Sequence, residues 1–256
     1  FERKILFKKN APELLEKKLK GKNWEVLPIM LSGNTDCYQP IEKKLEITRE
    51  MLEVLYKYRH PVGIITKNSL ILRDLDILTE MTKLNLLHVS ISITSLNEKT
   101  RRILEPRTAT IKKRLETVKV LSENHIPVNV MMAPIIPAIN SHEIFDLVRK
   151  VSEMGALSVA YTMLRLNGAI GAIFTDWVKK TFPERASKIL HQIQDSHGGK
   201  LNNSRFGKRM TGEGKIAEQV AMQFKIAKKK YLSDKCMPPY NFSLYKQHKN
   251  SQLRLF

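Results

Sequence analysis

The chain has 256 residues, with 44 Lys plus Arg against 25 Asp plus Glu and a formal net charge of +19. At 42% hydrophobic and 27% charged, it is neither a disordered tail nor collagen, and it is long enough to bury one sizeable core or a small pair of cores. No apolar run approaches the roughly 18 to 20 residues that cross a bilayer, and no apolar core of a signal peptide follows Phe1-Glu2-Arg3-Lys4.

A soluble, cytoplasmic protein with no membrane partner is therefore expected. Two cysteines, Cys37 and Cys236, are too few for a disulfide framework and too far apart for any local CxxxCxxC metal cluster.

In chain order, Ile5-Leu6-Phe7 reads as a strand-like run, and Pro12-Glu13-Leu14-Leu15-Glu16-Lys17 begins a helix. The first clear strand is Val26 to Leu31. A helical pattern at Leu45, Met51, Leu52 and Leu55 ends before His60-Pro61. Further strands are expected at Val62 to Ile65, Leu86 to Ser92, Val128 to Met132 and Leu157 to Leu164. Between them, Ile111, Leu115, Val118 and Leu121 mark one helix. Ile144, Leu147, Val148, Val151 and Met154 mark another, with Asn140-Ser141-His142-Glu143 as a possible cap. Helices are then expected over 172–196 and 213–232, separated by a loop rich in Gly, Asn and Arg from Gly198 to Gly214.

The strand starts average about 33 residues apart, the length of a strand, a helix and two loops. Runs apolar on both faces fit parallel strands covered by helices. A doubly wound sheet and a full or partial (β/α) barrel both remain open. The dinucleotide reading is weak, because no Gly-rich phosphate loop follows any strand. Residues 1–168 read as the strand-bearing domain, and residues 169–256 as a C-terminal helical extension and tail packed on it.

Both architectures put ligands at the carboxyl ends of their strands, and those ends are polar here. They carry Ser32-Gly33-Asn34-Thr35-Asp36, Thr66-Lys67-Asn68, the alternating Ser90, Ser92 and Thr94, Glu105-Pro106-Arg107, Ala133-Pro134-Ile135-Ile136-Pro137, and Arg165. Such groups suit a ligand bearing carboxylate, amino and ribose functions. Each also has a plainer reading. Asp36 can cap a turn, the hydroxyls can bond neighbouring backbone, and Arg107 can pair with Glu105 at the surface. Lys67 can be a surface lysine or a Schiff-base nucleophile. His88, inside an apolar strand, reads as a packed core histidine. The charge of +19 attracts polyanions, nucleic acid first, and Arg205, Lys208 and Arg209 are the residues expected to meet it.

Taken together these stretches resemble the radical S-adenosylmethionine (radical SAM) superfamily and, within it, the bacterial branch similar to spore photoproduct lyase. The residues that carry the resemblance are Gly33-Asn34-Thr35-Asp36 with Tyr38-Gln39-Pro40-Ile41-Glu42, Ile65-Thr66-Lys67, Ser90 to Thr94, Glu105-Pro106-Arg107, Ala133 to Pro137 and Ser204-Arg205-Phe206-Gly207. The resemblance implies an α/β fold, a partial (β/α)6 TIM-like barrel of parallel strands. It also implies a [4Fe–4S] cluster and S-adenosylmethionine, which is cleaved reductively to a 5′-deoxyadenosyl radical, with an electron donor such as flavodoxin or ferredoxin. By the same resemblance, Gly33, Asn34, Thr35 and Asp36 hold the methionine amino group. Lys67, Ser92 and Arg107 hold its carboxylate or the ribose, with Ser90 and Thr94 nearby, and Pro134 to Pro137 border the adenine.

The CxxxCxxC loop of the family is not in these 256 residues, so its cysteines are expected upstream of Phe1. The chain as given is expected to bind no cluster or cofactor and to be inactive. Cys37 is a candidate hydrogen-atom donor, with an ordinary buried thiol as the alternative. Similarity of branch together with charge points to nucleic acid, such as a DNA lesion. Gln252-Leu253-Arg254-Leu255-Phe256 is similar to the short tails that bind the sliding clamp. Two other readings are a non-catalytic basic module for nucleic acid and clamp, and a barrel lyase using Lys67.

Overall fold

The computed structural model describes residues 5–245. In chain order the elements are α1 (Ala11–Leu19), β1 (Ile29–Leu31), α2 (Glu42–Leu45), α3 (Ile47–Lys57), β2 (Val62–Thr66), α4 (Leu75–Lys83), β3 (Leu87–Ser92), α5 (Glu98–Leu104), α6 (Ile111–Glu123), β4 (Val128–Ile135), α7 (Ile144–Glu153), β5 (Ser158–Met163), α8 (Ile170–Thr181), α9 (Ala186–Asp195) and α10 (Lys215–Tyr231). The strands form one sheet in the order β1-β2-β3-β4-β5. Pairing is parallel, with Ile29 opposite Val62 at one end and Val130 opposite Val159 at the other. Strand order that follows chain order is the winding of a (β/α) barrel; a doubly wound sheet reverses direction midway.

Four helix-to-strand turns are built alike. Arg59, Asn85, His125 and Gly155 each take a left-handed backbone conformation directly after α3, α4, α6 and α7. The next residue then donates its N–H back five residues into the helix: His60 to Leu55, Leu86 to Met81, Ile126 to Leu121 and Ala156 to Val151. This is a Schellman closure, which satisfies carbonyls that the helix end would otherwise orphan and turns the next residue inward. His60, Leu86, Ile126 and Ala156 are all buried, and the following strand begins within two residues.

The described residues divide into two compact units, 5–90 with 120–128 and 237–245, and 91–119 with 129–236. In the first, α1 meets α3 through Glu16, which accepts from Lys57 Nζ at 2.8 Å and the Tyr58 hydroxyl at 3.0 Å. His88 stacks on Tyr240 and bonds the Pro238 carbonyl at 2.8 Å, so its packed reading holds. In the second unit, α8 and α9 bury Val178, Ala186, Ile189 and Ile193 against Ile136, Ile139, Leu164 and Leu166. α10 lays Phe224 on Tyr161 of β5, rings stacked at 4.3 Å, and Ser152 at the end of α7 donates to the Tyr231 carbonyl at 2.6 Å.

Several expected boundaries move. Ile5 to Phe7 is not a strand, and Leu6 is 97% exposed; an isolated apolar triplet has no neighbouring strand to satisfy its backbone. β1 begins only at Ile29, after Pro28. The helix expected over 172–196 breaks before Pro183 into α8 and α9, because proline removes a donor and disfavours helix at the residue before it. The helix marked by Leu45 to Leu55 splits at Glu46, which is left-handed. There Glu42 reaches the Thr48 N–H at 2.6 Å and caps α3 in place of a local residue, and burial pushes its carboxyl up. The Asn140 side chain does not cap α7.

Candidate functional site

At the end of β1 the backbone turns sharply. Ser32 sits at φ 71° and its Oγ accepts the Cys37 N–H at 2.8 Å. Asp36 then ties this loop to the end of β2. One carboxylate oxygen takes the Tyr38 N–H at 3.0 Å and the Thr66 hydroxyl at 2.7 Å, and the other takes the Lys67 N–H at 2.8 Å. A carboxylate offers about four acceptor positions, so Asp36 is largely committed to holding the loop, as the turn-capping reading supposed. Asn68 adds a bond from its amide to the Tyr38 carbonyl at 2.7 Å. Gly33, Asn34 and Thr35 remain exposed at the tip of this braced loop, while Lys67 and Ser90 are half-buried.

Beneath the loop, Tyr38 is fully buried. Its hydroxyl donates to Asp74 at 3.0 Å, and Asp74 is also gripped by Arg73 at 2.9 Å and Arg49 at 3.3 Å. Burial and the Asp74 charge push the Tyr38 phenol well up, so it stays a donor. Cys37 is half-buried, and burial pushes its thiol up to about 12. It is therefore a neutral S–H across the physiological range and a poor nucleophile.

In the second unit the buried centre is Arg114, 1% exposed. Its guanidinium reaches the Ala109 carbonyl at 3.0 Å, the Ser92 carbonyl at 2.9 Å, Glu105 at 2.8 Å and the Thr108 hydroxyl. Arg101 holds the same turn through the Glu105 and Thr108 carbonyls at 2.9 and 3.1 Å. Two arginines thus clasp residues 105–108 and leave Arg107 exposed. Thr94 is buried and spends its hydroxyl on Glu105 at 3.0 Å and the Ala133 carbonyl at 3.3 Å, which is the neighbour-bonding reading. Asn140, wholly buried, takes the Ile136 N–H at 2.7 Å and donates to the Thr94 and Pro134 carbonyls at 2.8 and 3.0 Å. This fixes the Pro134-to-Pro137 segment. Glu143 likewise accepts from Ser95 at 2.7 Å and Leu96 N–H at 2.5 Å.

Arg205, Lys208 and Arg209 lie exposed on the loop between α9 and α10. Arg205 is paired with Glu213 while its side chain stays 65% exposed, so it braces the loop from the solvent side. The loop needs its glycines where it closes: Gly212 has φ 77°, and a Cβ there would lie 2.8 Å from the Ser196 carbonyl oxygen and 2.9 Å from Ala217 Cβ. The Gln252-to-Phe256 tail lies outside the described residues.

Asp74 and Arg114 were not singled out from the sequence, and Asn140 and Glu143 only as parts of a possible helix cap. One of them left a usable signal. Arg114 stands on the apolar stripe of α6 with Ile111, Leu115 and Val118, and a cation on a core-facing stripe implies a buried partner. Among the described residues, no group of three or more His, Cys, Asp or Glu is placed to hold a metal ion. Those residues therefore do not furnish the thiolate set of a [4Fe–4S] cluster. Also among them, no helix is long and apolar enough to cross a membrane.

The family model described as the radical SAM superfamily matches residues 6–151. An uncharacterised protein of Methanocaldococcus jannaschii is 29% identical over 181 residues, covering 70% of this chain and 64% of that protein. One from Mycobacterium tuberculosis is 27% identical, covering 73% and 56% respectively, and one from Acidianus two-tailed virus is 31% identical, covering 71% and 62%. The chain thus spans less than two thirds of the length of these relatives. Among solved structures, spore photoproduct lyase complexed with dinucleoside spore photoproduct aligns at a TM-score of 0.64 and 13% identity, over 87% of this chain and 63% of that one. A variant of that enzyme with bound AdoMet and the dinucleoside aligns at 0.59. At such identities the likeness is one of fold: an α/β fold similar to the partial barrel of that enzyme.

Proposed function

Because the chain belongs to the radical SAM superfamily, we propose that this protein cleaves S-adenosylmethionine reductively and acts on a nucleic-acid substrate. The observation that carries the reading is the family match over residues 6–151, in which the ends of β1, β2 and β3 carry polar groups.

The exposed tip Gly33-Asn34-Thr35, held by Asp36, is proposed to receive the methionine amino group. Nothing lies within 4 Å of a Cβ built on Gly33, so the backbone there is approachable. Lys67 and Arg107 supply cationic donors for a carboxylate, with Ser92 on the carboxylate or ribose, Ser90 and Thr94 nearby, and Pro134 beside the adenine. Once bound, S-adenosylmethionine and a [4Fe–4S] cluster supply one-electron chemistry that belongs to the cofactors. The cluster is assigned to none of the described residues. What the chain's own groups do is position and charge-match. The Arg101–Arg114 clasp holds the 105–108 turn that presents Arg107, and Asn140 holds the proline segment.

Nucleic acid enters the reading through the net charge of +19 and through the dinucleoside spore photoproduct with which the structural neighbour is complexed. The test is anaerobic reconstitution, with iron and sulfide, of the protein expressed from its complete gene, followed by reductant and S-adenosylmethionine. Formation of 5′-deoxyadenosine is expected. Lys67→Ala should raise KM for S-adenosylmethionine by about tenfold, the loss of one charge-assisted contact. A protein that binds no cluster and forms no 5′-deoxyadenosine overturns the proposal.

A further inference from the structure

We propose that Phe206 stacks on a base, and that the loop from Gly198 to Gly214 carries it onto an unpaired or unstacked stretch of nucleic acid. This rests on the nucleic-acid reading above and goes further, assigning a residue, a contact and a strand state. Phe206 is 91% exposed. Leaving a phenyl group in water forgoes about 1.5 to 3 kcal/mol of burial, and here the local backbone does not collapse to recover it.

The loop is braced, so the exposure is built in. The Met163 N–H of β5 donates to the Met210 carbonyl at 2.8 Å, Glu213 N–H to the Ser196 carbonyl at 3.0 Å, and Gly212 N–H to the Lys208 carbonyl at 2.8 Å. Arg205 N–H and Nε hold the Asn203 side chain at 3.0 and 3.2 Å, and the Arg205 guanidinium pairs with Glu213. The turn immediately before Gly207, at φ 81°, therefore presents Phe206 from a fixed frame.

The chemistry around the ring selects the ligand. Lys200, Arg205, Lys208 and Arg209 stand against the single carboxylate of Glu213, which Arg205 already occupies. The Arg209 guanidinium lies 5.6 Å from the Phe206 ring centroid, so cation and π-face are offered together. A polyanion that also has flat aromatic faces matches both features; cationic residues that track phosphates, with an aromatic on which a base stacks, are how single strands are bound without sequence readout. A second copy of this chain, also at +19, would be repelled. One phenyl ring and a partly exposed Met210 give little apolar area for anchoring in a lipid surface.

The experiment measures binding of a single-stranded oligonucleotide carrying 2-aminopurine, by anisotropy and by the base's own fluorescence, against a salt series. Phosphatidylserine vesicles form a parallel arm. The proteins are the parent, Phe206→Ala, Phe206→Leu and Phe206→Trp; the ring packs against no core residue, so circular dichroism melts of all four should coincide. The proposal expects Ala and Leu to weaken oligonucleotide binding at least about fivefold, to leave the salt slope unchanged because no phosphate contact is lost, and to abolish the change in 2-aminopurine fluorescence. Trp should retain both. Phe206→Ala binding as tightly as the parent, with the same fluorescence change, overturns the stacking role and leaves the nucleic-acid reading standing. A parent protein with no salt-dependent oligonucleotide binding overturns both. Vesicle binding that Phe206→Ala abolishes, with oligonucleotide binding untouched, reassigns the loop to a membrane surface and overturns the proposal.

Discussion

Arg114 enters the interior on a helix face otherwise made of Ile111, Leu115, Val118 and Leu121. Placing a guanidinium there is costly unless every N–H finds an acceptor, and its partners are the Ala109 and Ser92 carbonyls, the Thr108 hydroxyl and Glu105. Removing the arginine alone takes a buried guanidinium from the Glu105 carboxylate, 8% exposed, which keeps the Thr94 hydroxyl. Arg114→Met is therefore expected to destabilise the protein by about 3 to 5 kcal/mol, read as a shift of the urea midpoint. Arg114→Met with Glu105→Gln should recover part of that loss, since the buried carboxylate no longer carries a charge. An unchanged midpoint in the single variant would contradict the clasp. Asp36 illustrates the same economy at the end of β1: its acid group serves three donors within the protein, with Gly33 to Thr35 exposed at the tip.

The repeated helix-to-strand closure gives one element an unusual property. Three of the four turns close on Leu86, Ile126 or Ala156, whereas α3 closes on His60. Trp24 Nε1 donates to His60 Nε2 at 3.0 Å, which leaves Nδ1 to donate to the Pro61 carbonyl at 2.9 Å. The ring is thereby neutral, and burial holds its pKa below the ordinary 6.5. In the unfolded chain the imidazole takes up a proton as pH falls through about 6.5, while in the folded chain it does not until lower pH, so acid favours unfolding. His88, lowered by the same cause, adds in the same direction. Stability should fall between pH 7.5 and 5.5, and His60→Gln should flatten that dependence; urea midpoints at the two pH values decide it, and identical slopes in both proteins would contradict it. These closures also explain what the sequence hid. Gly155 advertises a left-handed residue, and Asn85 and His125 are of types that tolerate one, while Arg59 adopts that conformation because the buried His60 behind it anchors the turn. The strands themselves were readable as apolar runs, and their polar ends followed. The pairing of Asp74 with Tyr38 and Arg49 depends on contacts distant in sequence that no local pattern records, whereas the break before Pro183 had its signal in the proline itself.

For the molecule as a whole, the parallel strand order, the match to the radical SAM superfamily over residues 6–151 and the excess of 19 positive charges point to one account, in which a cofactor-binding α/β fold works on a polyanion. The family was legible because its short motifs fall at strand ends in the right order. The proposed nucleic-acid substrate shows in the sequence only as a charge, since phosphate attraction carries no information about which atom reacts. The most direct measurement follows a hydrogen atom. Protein from the complete gene, reconstituted anaerobically with iron and sulfide, would be incubated with reductant, S-adenosylmethionine and a DNA oligonucleotide deuterated in its sugars and thymine methyl groups, and the 5′-deoxyadenosine examined by mass spectrometry. The account predicts deuterium in the 5′-deoxyadenosine, together with more of it than forms without DNA. Undeuterated product in unchanged yield would contradict nucleic acid as the substrate.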